Sequence, residues 1–221
     1  MTAGRPFVVA IDGPAASGKG TLARRLAAHF NFAHLDTGKL YRAAAFLVLA
    51  EGGNPADPAM AEAAARRIDP ILLSDRRLIS EEVAQASSVV AAIPAVRNAL
   101  LAFQRDFAAH PPGPAGGAVL DGRDIGTAVC PDAAVKLFVI ASPEARAERR
   151  LRELRQSGAT AIYRDVLQDM MERDARDSER RVAPLAAAPD AVTIDTTRLD
   201  ADQVFELASG LIARALAAHG H

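Results

Sequence analysis

The sequence predicts an α/β fold in which a parallel sheet is covered by helices. Three observations carry this. Short apolar runs of strand length, at residues 7–11, 119–120, 135–140 and 192–194, alternate with longer stretches of helical spacing. Such alternation forces crossover connections, which run consecutive strands parallel. The third observation is a glycine-rich turn, Gly13-Pro14-Ala15-Ala16-Ser17-Gly18-Lys19-Gly20-Thr21, set between the first strand and the first helix.

Each element has its own warrant. The turn at 13–21 is a phosphate-cradling P-loop arrangement. Its backbone N–H groups converge on a concavity, the helix N-terminus adds its positive dipole end, and Lys19 reaches the β- and γ-phosphates of a nucleoside triphosphate. The general pattern wants Ser or Thr directly after the lysine; here Gly20 stands there and Thr21 supplies the hydroxyl. Leu22 and Leu26 at i,i+4 predict a helix over 19–30, and a short strand at 33–35 leads to Asp36-Thr37-Gly38. A helix over 40–50 stops at Gly52-Gly53 and Pro55, and Pro58 opens another that runs to 68. Residues 70–80 read as a small hairpin about Asp75-Arg76-Arg77. Ser80 is an N-cap, with Glu81 and Glu82 set against the dipole, for a helix to 93. Pro94 interrupts, and a second helix covers 95–108 before a Pro/Gly loop at 110–117. The strand at 119–120 ends in Asp121-Gly122-Arg123-Asp124. After the strand at 135–140, Ser142-Pro143-Glu144 starts a helix as cap, proline and acid. Ser157-Gly158 breaks it, a charged helix follows over 162–178, and a strand at 192–194 precedes a closing amphipathic helix over 202–218.

Length and composition narrow the class. A chain of 221 residues fits one α/β domain with a small inserted subdomain, and a hydrophobic share of 50% supplies a sizeable core. Net charge of −1 argues against a general nucleic-acid or membrane-surface binder, and no Trp with two Tyr makes a base-stacking platform a poor fit. Cys130 stands alone, and the five histidines show no metal-ligand spacing. The first apolar run is too short for a secretory signal, and no segment reaches 18 apolar residues, so the expectation is a soluble cytoplasmic protein.

In a parallel sheet the working loops lie at the carboxyl ends of the strands. The P-loop, Asp36-Thr37-Gly38, Asp121-Gly122-Arg123-Asp124 and the helices after 140 should therefore converge. Lys19, Lys39 and Lys136 are the only lysines, and ten arginines stand against nine acids between 142 and 181. A charged helical surface explains most such runs. Bringing two multiply anionic phosphates together, however, demands fixed cations, and arginine's planar fork is the better clamp. A mobile arginine-bearing lid would meet that need. A phosphate acceptor is largely dianionic near neutral pH and needs no base, whereas an alcohol acceptor does. Arginine-rich surroundings without histidine lean toward a phosphorylated acceptor, with Asp36 or Asp124 the candidate base otherwise.

These residues resemble the bacterial cytidylate kinases of the nucleoside monophosphate kinase family almost end to end. The motifs are Ile11-Asp12-Gly13-Pro14 through Thr21, Leu35-Asp36-Thr37-Gly38 with Tyr41-Arg42, Asp121 through Thr127, and Glu172-Arg173-Asp174 through Val182-Ala183-Pro184-Leu185. The resemblance implies a three-layer P-loop kinase fold with a central parallel five-stranded sheet, a nucleotide-monophosphate-binding segment at about 51–94 and an arginine-rich lid at about 142–185. The core would then be 1–50, 95–141 and 186–221. It implies transfer from ATP, with Mg²⁺, to CMP or dCMP, by a monomer without nucleic-acid or membrane partners and without a protein-built metal site. Lys19 and the loop residues Gly13 to Thr21 would hold ATP. Thr37, Arg42 and Arg123 would face the acceptor phosphate with Arg180, while Arg173 and Asp177 contact sugar and phosphate. Ser88, Arg97 and Asp124 would read cytosine, and Arg149 and Arg150, with Arg146, are the lid candidates for the transferring phosphoryl.

Two departures from the family pattern stand out. The segment between Arg67 and Glu81 is shorter than the family's usual insert, which puts base selectivity at stake. Ala16 occupies a place often held by glycine, which is expected to require φ below zero. The alternative reading is a P-loop kinase for another nucleoside monophosphate or a small metabolite such as shikimate. A guanine-nucleotide switch would need an Asn-Lys-x-Asp sequence, which is absent.

Overall fold

The computed structural model describes residues 6–156 and 158–219. Phe7–Asp12 (β1), Ala33–Asp36 (β2), Gly117–Gly122 (β3), Val135–Ile140 (β4) and Val192–Asp195 (β5) form one sheet in the order β2-β3-β1-β4-β5. Every pairing is parallel, with Val9 opposite both Val119 and Val135. Central position explains why β1 and β3 read as unbroken apolar runs, since a strand covered on both faces has no polar side to present. Leaving β1, the chain builds toward β2 on one side and later crosses to β4 on the other. The crevice outside the carboxyl ends is therefore centred on β1.

Side-chain alternation along β1 sorts the layers. Val9 and Ile11 join Leu22 and Leu26 of Lys19–Phe30 (α1) and Ala208 and Ile212 of Ala201–Ala218 (α8) on one face. Ala10 joins Leu35, Leu120 and Ala108 on the other, where Pro94–Ala109 (α5) packs. A second apolar cluster unites Thr37–Ala50 (α2), Pro58–Arg66 (α3), Glu81–Val90 (α4) and α5 through Leu40, Val48, Ala64, Val90 and Leu100. Pro143–Gln156 (α6) and Tyr163–Ser178 (α7) have a small core of their own, Ala147, Val166 and Met170. Among the described residues no single helix is long and apolar enough to cross a membrane.

Most element boundaries follow the expected capping chemistry. Ser80 accepts the Val83 N–H at 3.3 Å and Ser142 accepts that of Ala145 at 3.2 Å. Asp200 and Gln203 form a capping box that starts α8 at 201. The helix expected to reach 93 ends at Val90, because Pro94 pushes Ile93 to an extended ψ of 116°. Ser157 of the expected Ser157-Gly158 break lies outside the described residues.

Two expectations fail. Residues 70–80 form no hairpin but two 3₁₀ turns, Pro70–Ser74 and Arg76–Ile79. The Asp69 and Asp75 carboxylates accept the N–H groups of Ile71 and Arg77 at 2.9 and 2.8 Å, and these local caps win over strand pairing. Ala16 does not keep φ below zero: it sits at +56°, in the left-handed region. Its methyl packs against the α6–α7 cluster, a contact that offsets the strain of about 1–2 kcal/mol that the conformation carries.

Candidate active site

The carboxyl ends of β1, β2 and β3 open into a cavity of about 560 Å³, walled on the far side by α4, α6 and α7. The turn after β1 is shaped for it. Gly13 has φ of 151°, and a Cβ there would fall 2.0 Å from the Val139 carbonyl oxygen, so the close approach of the loop to β4 admits only glycine. Gly18, at φ 91°, caps α1, whose first turn holds no acid to cancel its dipole. Ala15, Ala16, Gly18, Lys19, Gly20 and Thr21 line the cavity, whereas Gly13, Pro14 and Ser17 stand behind it.

Lys19 is buried, and its Nζ donates to the Pro14 carbonyl at 3.1 Å. Burial, with Arg123 adding to it, pushes its pKa down to about 7, against the pull of Asp121 and Asp36. The Ser17 carbonyl accepts from Thr196 Oγ1 at 2.9 Å, and Arg149 donates to the same hydroxyl at 2.9 Å. Arg149 is thus clamped beside the loop and does not line the cavity; Arg150 does, paired across it with Glu81 of α4.

Beyond the loop stands a dense set of cations. Arg42, Arg123, Arg150, Arg173 and Arg176 line the cavity. Burial first, then Arg123, holds Arg173 down to about 10; among the described residues its Nε has no hydrogen-bond partner, and Nε and Nη2 of buried Arg180 have none either. Unanswered buried N–H groups on guanidinium are costly unless an anion comes to meet them. Asp177 supplies part of the balance. Burial alone would raise its carboxyl, but Arg123, Arg173 and Arg180 outweigh that and hold it below the usual carboxylate range. Its Oδ2 accepts from Arg123 Nε at 2.9 Å.

Behind this wall, Thr37 donates to the Asp121 carbonyl at 2.8 Å, while Arg42 in the wall itself donates to that of Leu78 at 2.9 Å. Arg97 and Asp124 form a buried ion pair, with the Arg97 guanidinium 5.5 Å from the centre of the Tyr41 ring. Arg97 donates to Oδ2 of Asp124. Ser88 Oγ accepts from Arg176 Nε at 3.3 Å. Arg146 lies apart from the cavity, bonded to Asp174 at 2.7 Å and to the Ala15 carbonyl at 3.3 Å.

Sequence reasoning passed over Thr196, Arg176 and Glu81. Thr196 directly follows β5, so the carboxyl-end rule that found the other loops reaches it too. Arg176 and Glu81 carried no such signal, since each gains its place from a partner more than sixty residues away.

Comparison with known proteins agrees with this geometry. The family described as cytidylate kinase matches residues 9–214. A cytidylate kinase of Rhodospirillum rubrum is 60% identical over 207 residues, covering 94% of this chain and 97% of that protein. One from Paramagnetospirillum magneticum is 61% identical, covering 93% and 97%, and one from Methylocella silvestris is 54% identical, covering 95% of each. A solved structure of an uncharacterized protein from Eubacterium ventriosum shares the fold with TM-score 0.52 at 15% identity, covering 97% of this chain and 99% of its own.

Proposed function

This chain belongs to the cytidylate kinase family, phosphotransferases whose acceptor is itself a phosphate, and from that premise we propose that it carries the γ-phosphoryl of ATP to CMP or dCMP. The observation that supports this reading most is the buried Asp124–Arg97 pair beside a P-loop. Arg97 pairs with one oxygen of Asp124, and the other would accept a hydrogen bond from the exocyclic amine of cytosine, where uracil offers only another acceptor.

ATP would lie with its phosphates on the amides of residues 15–21 and on Lys19, at the uncancelled N-terminus of α1. Mg²⁺ fits here. Asp36 and Asp121 line the cavity within electrostatic reach of Lys19, and Oδ2 of Asp121 faces Gly20. Such an ion would be carried mostly by phosphate oxygens, with these carboxylates beside it. Bound there, the ion would neutralise phosphate charge. The acceptor phosphate, already dianionic, attacks in line without a base. Thr37, Arg42, Arg123, Arg173 and Arg180 would hold the acceptor, with Asp177 orienting Arg123. Of the two lid arginines, Arg150 lines the cavity and is the better placed for the transferring group, while Arg149 braces the loop.

The division into a core, an acceptor-binding segment near 51–94 and a lid near 142–185 belongs to the same reading, as does a cytoplasmic monomer. The lid part of that reading is supported by contacts of α4 with α6 and α7 through Glu81–Arg150, Gln85–Asp169 at 3.1 Å and Ser88–Arg176. Asp124→Asn tests the base assignment: the preference for CMP over UMP should fall about tenfold or more in competing turnover assays. An unchanged preference would remove Asp124 from cytosine recognition.

A further inference from the structure

Asp12 closes β1 and stands immediately before the Gly13 turn. It is 4% exposed, and both of its carboxylate oxygens are engaged: Oδ1 accepts the Ile125 N–H and Oδ2 the Gly126 N–H, each at 2.7 Å. Those amides open one turn of π-helix, Ile125–Val129. The first N–H groups of any helical turn have no partner within it, and a carboxylate from the central strand supplies one here. The residue just ahead is Asp124, whose carbonyl accepts the Ala128 N–H at 2.9 Å, and ahead of that is Arg123. A single buried side chain therefore joins the start of the donor loop to the backbone that carries the acceptor-facing pair.

We propose that Asp12 is a positioning residue for acceptor recognition: by holding the Ile125 and Gly126 amides it aims Asp124 and Arg123 at the acceptor and ties their backbone to the donor loop. This rests on Asp124 being the residue that reads the base. Asn at position 12 matches the shape but keeps one acceptor and turns its amide N–H₂ toward a backbone N–H, so one of the two ties becomes a repulsion.

The test is Asp12→Asn beside Asp124→Asn, each assayed with CMP, UMP and varied ATP. For Asp12→Asn the ratio of kcat/KM for CMP over UMP should fall about tenfold, while KM for ATP stays within about twofold. Equal losses toward ATP and CMP with the preference intact would make Asp12 a merely structural residue and overturn the proposal. A shifted preference in Asp124→Asn without one in Asp12→Asn overturns the proposal alone. An unchanged preference in Asp124→Asn removes the base assignment, and the proposal falls with it.

If Asp12→Asn does not fold, the wild-type protein decides. Burial raises Asp12 to about 6 against the two amide bonds, with Asp124 raising it further and Lys19 opposing; Cys130, just past the turn, and Lys136 of β4, packed beside Gly126 with its ammonium on Asp190, are also nearby. Protonation on the acid side puts a hydrogen on an oxygen that must accept. The CMP/UMP ratio should therefore fall between pH 7 and pH 5, around that midpoint of about 6, while the phosphate's own titration cancels in the ratio. A flat ratio across that range overturns the proposal.

Discussion

At the scale of single residues, Lys19 and Arg180 are both charges held without adequate company. Lys19, pushed down to about 7 by burial, is mostly neutral at pH 8 and regains its proton when phosphate oxygens surround it. Calorimetry of ATP binding in buffers of different ionisation enthalpy should therefore read uptake of about one proton at pH 8, shrinking as pH falls through 7. Lys19→Ala should abolish that uptake and lower turnover by roughly two to three orders of magnitude. Uptake that persists in the variant would assign it to another group. Arg180, with two buried guanidinium nitrogens lacking a partner among the described residues, should matter to the acceptor alone. Arg180→Ala is expected to raise KM for CMP about tenfold with KM for ATP little changed, and equal effects on both would misplace it. Lys19 is readable from the loop pattern itself, whereas Arg123, Asp124 and Arg180 enter as site residues only through the family resemblance. The left-handed Ala16 was not legible, because the contact that tolerates it comes from helices 130 residues further along.

At the scale of elements, the α6–α7 pair carries a small apolar core around Ala147, Val166 and Met170 and rests on the loop through Ala16. A unit with so little buried surface opens more readily than the sheet. Met170→Ala removes a 6%-exposed side chain from that cluster and should cost about 2–3 kcal/mol locally. Amide exchange should then quicken in α6 and α7 but not in α1 or α8. Uniform quickening would show that the pair is no separate unit. Helices with apolar periodicity and a proline or serine start were readable to within a few residues. The 3₁₀ turns at 70–79 were not, since Leu72-Leu73 and Leu78-Ile79 fit a strand as well as a turn until the Asp69 and Asp75 caps decide.

For the whole molecule, the sheet order places β1 between β3 and β4, so the loops after β1, β2 and β3 converge by topology before any ligand arrives. That convergence was legible from strand–helix alternation; the pairing of α4 with α6 and α7 across the cavity was not, because it rests on an ion pair and hydrogen bonds between helices distant in sequence. On the proposed function, the arrangement amounts to two anion sites facing one another, one with P-loop amides and Lys19, the other with arginines and Asp124 as the proposed reader of cytosine. Release of ADP in a coupled assay with ATP and Mg²⁺, offering CMP, dCMP, UMP, AMP, GMP and shikimate in parallel, tests this most directly. The account predicts strong turnover with CMP and dCMP and little with UMP or the others. A preference for any other acceptor, or no turnover with CMP, would contradict it.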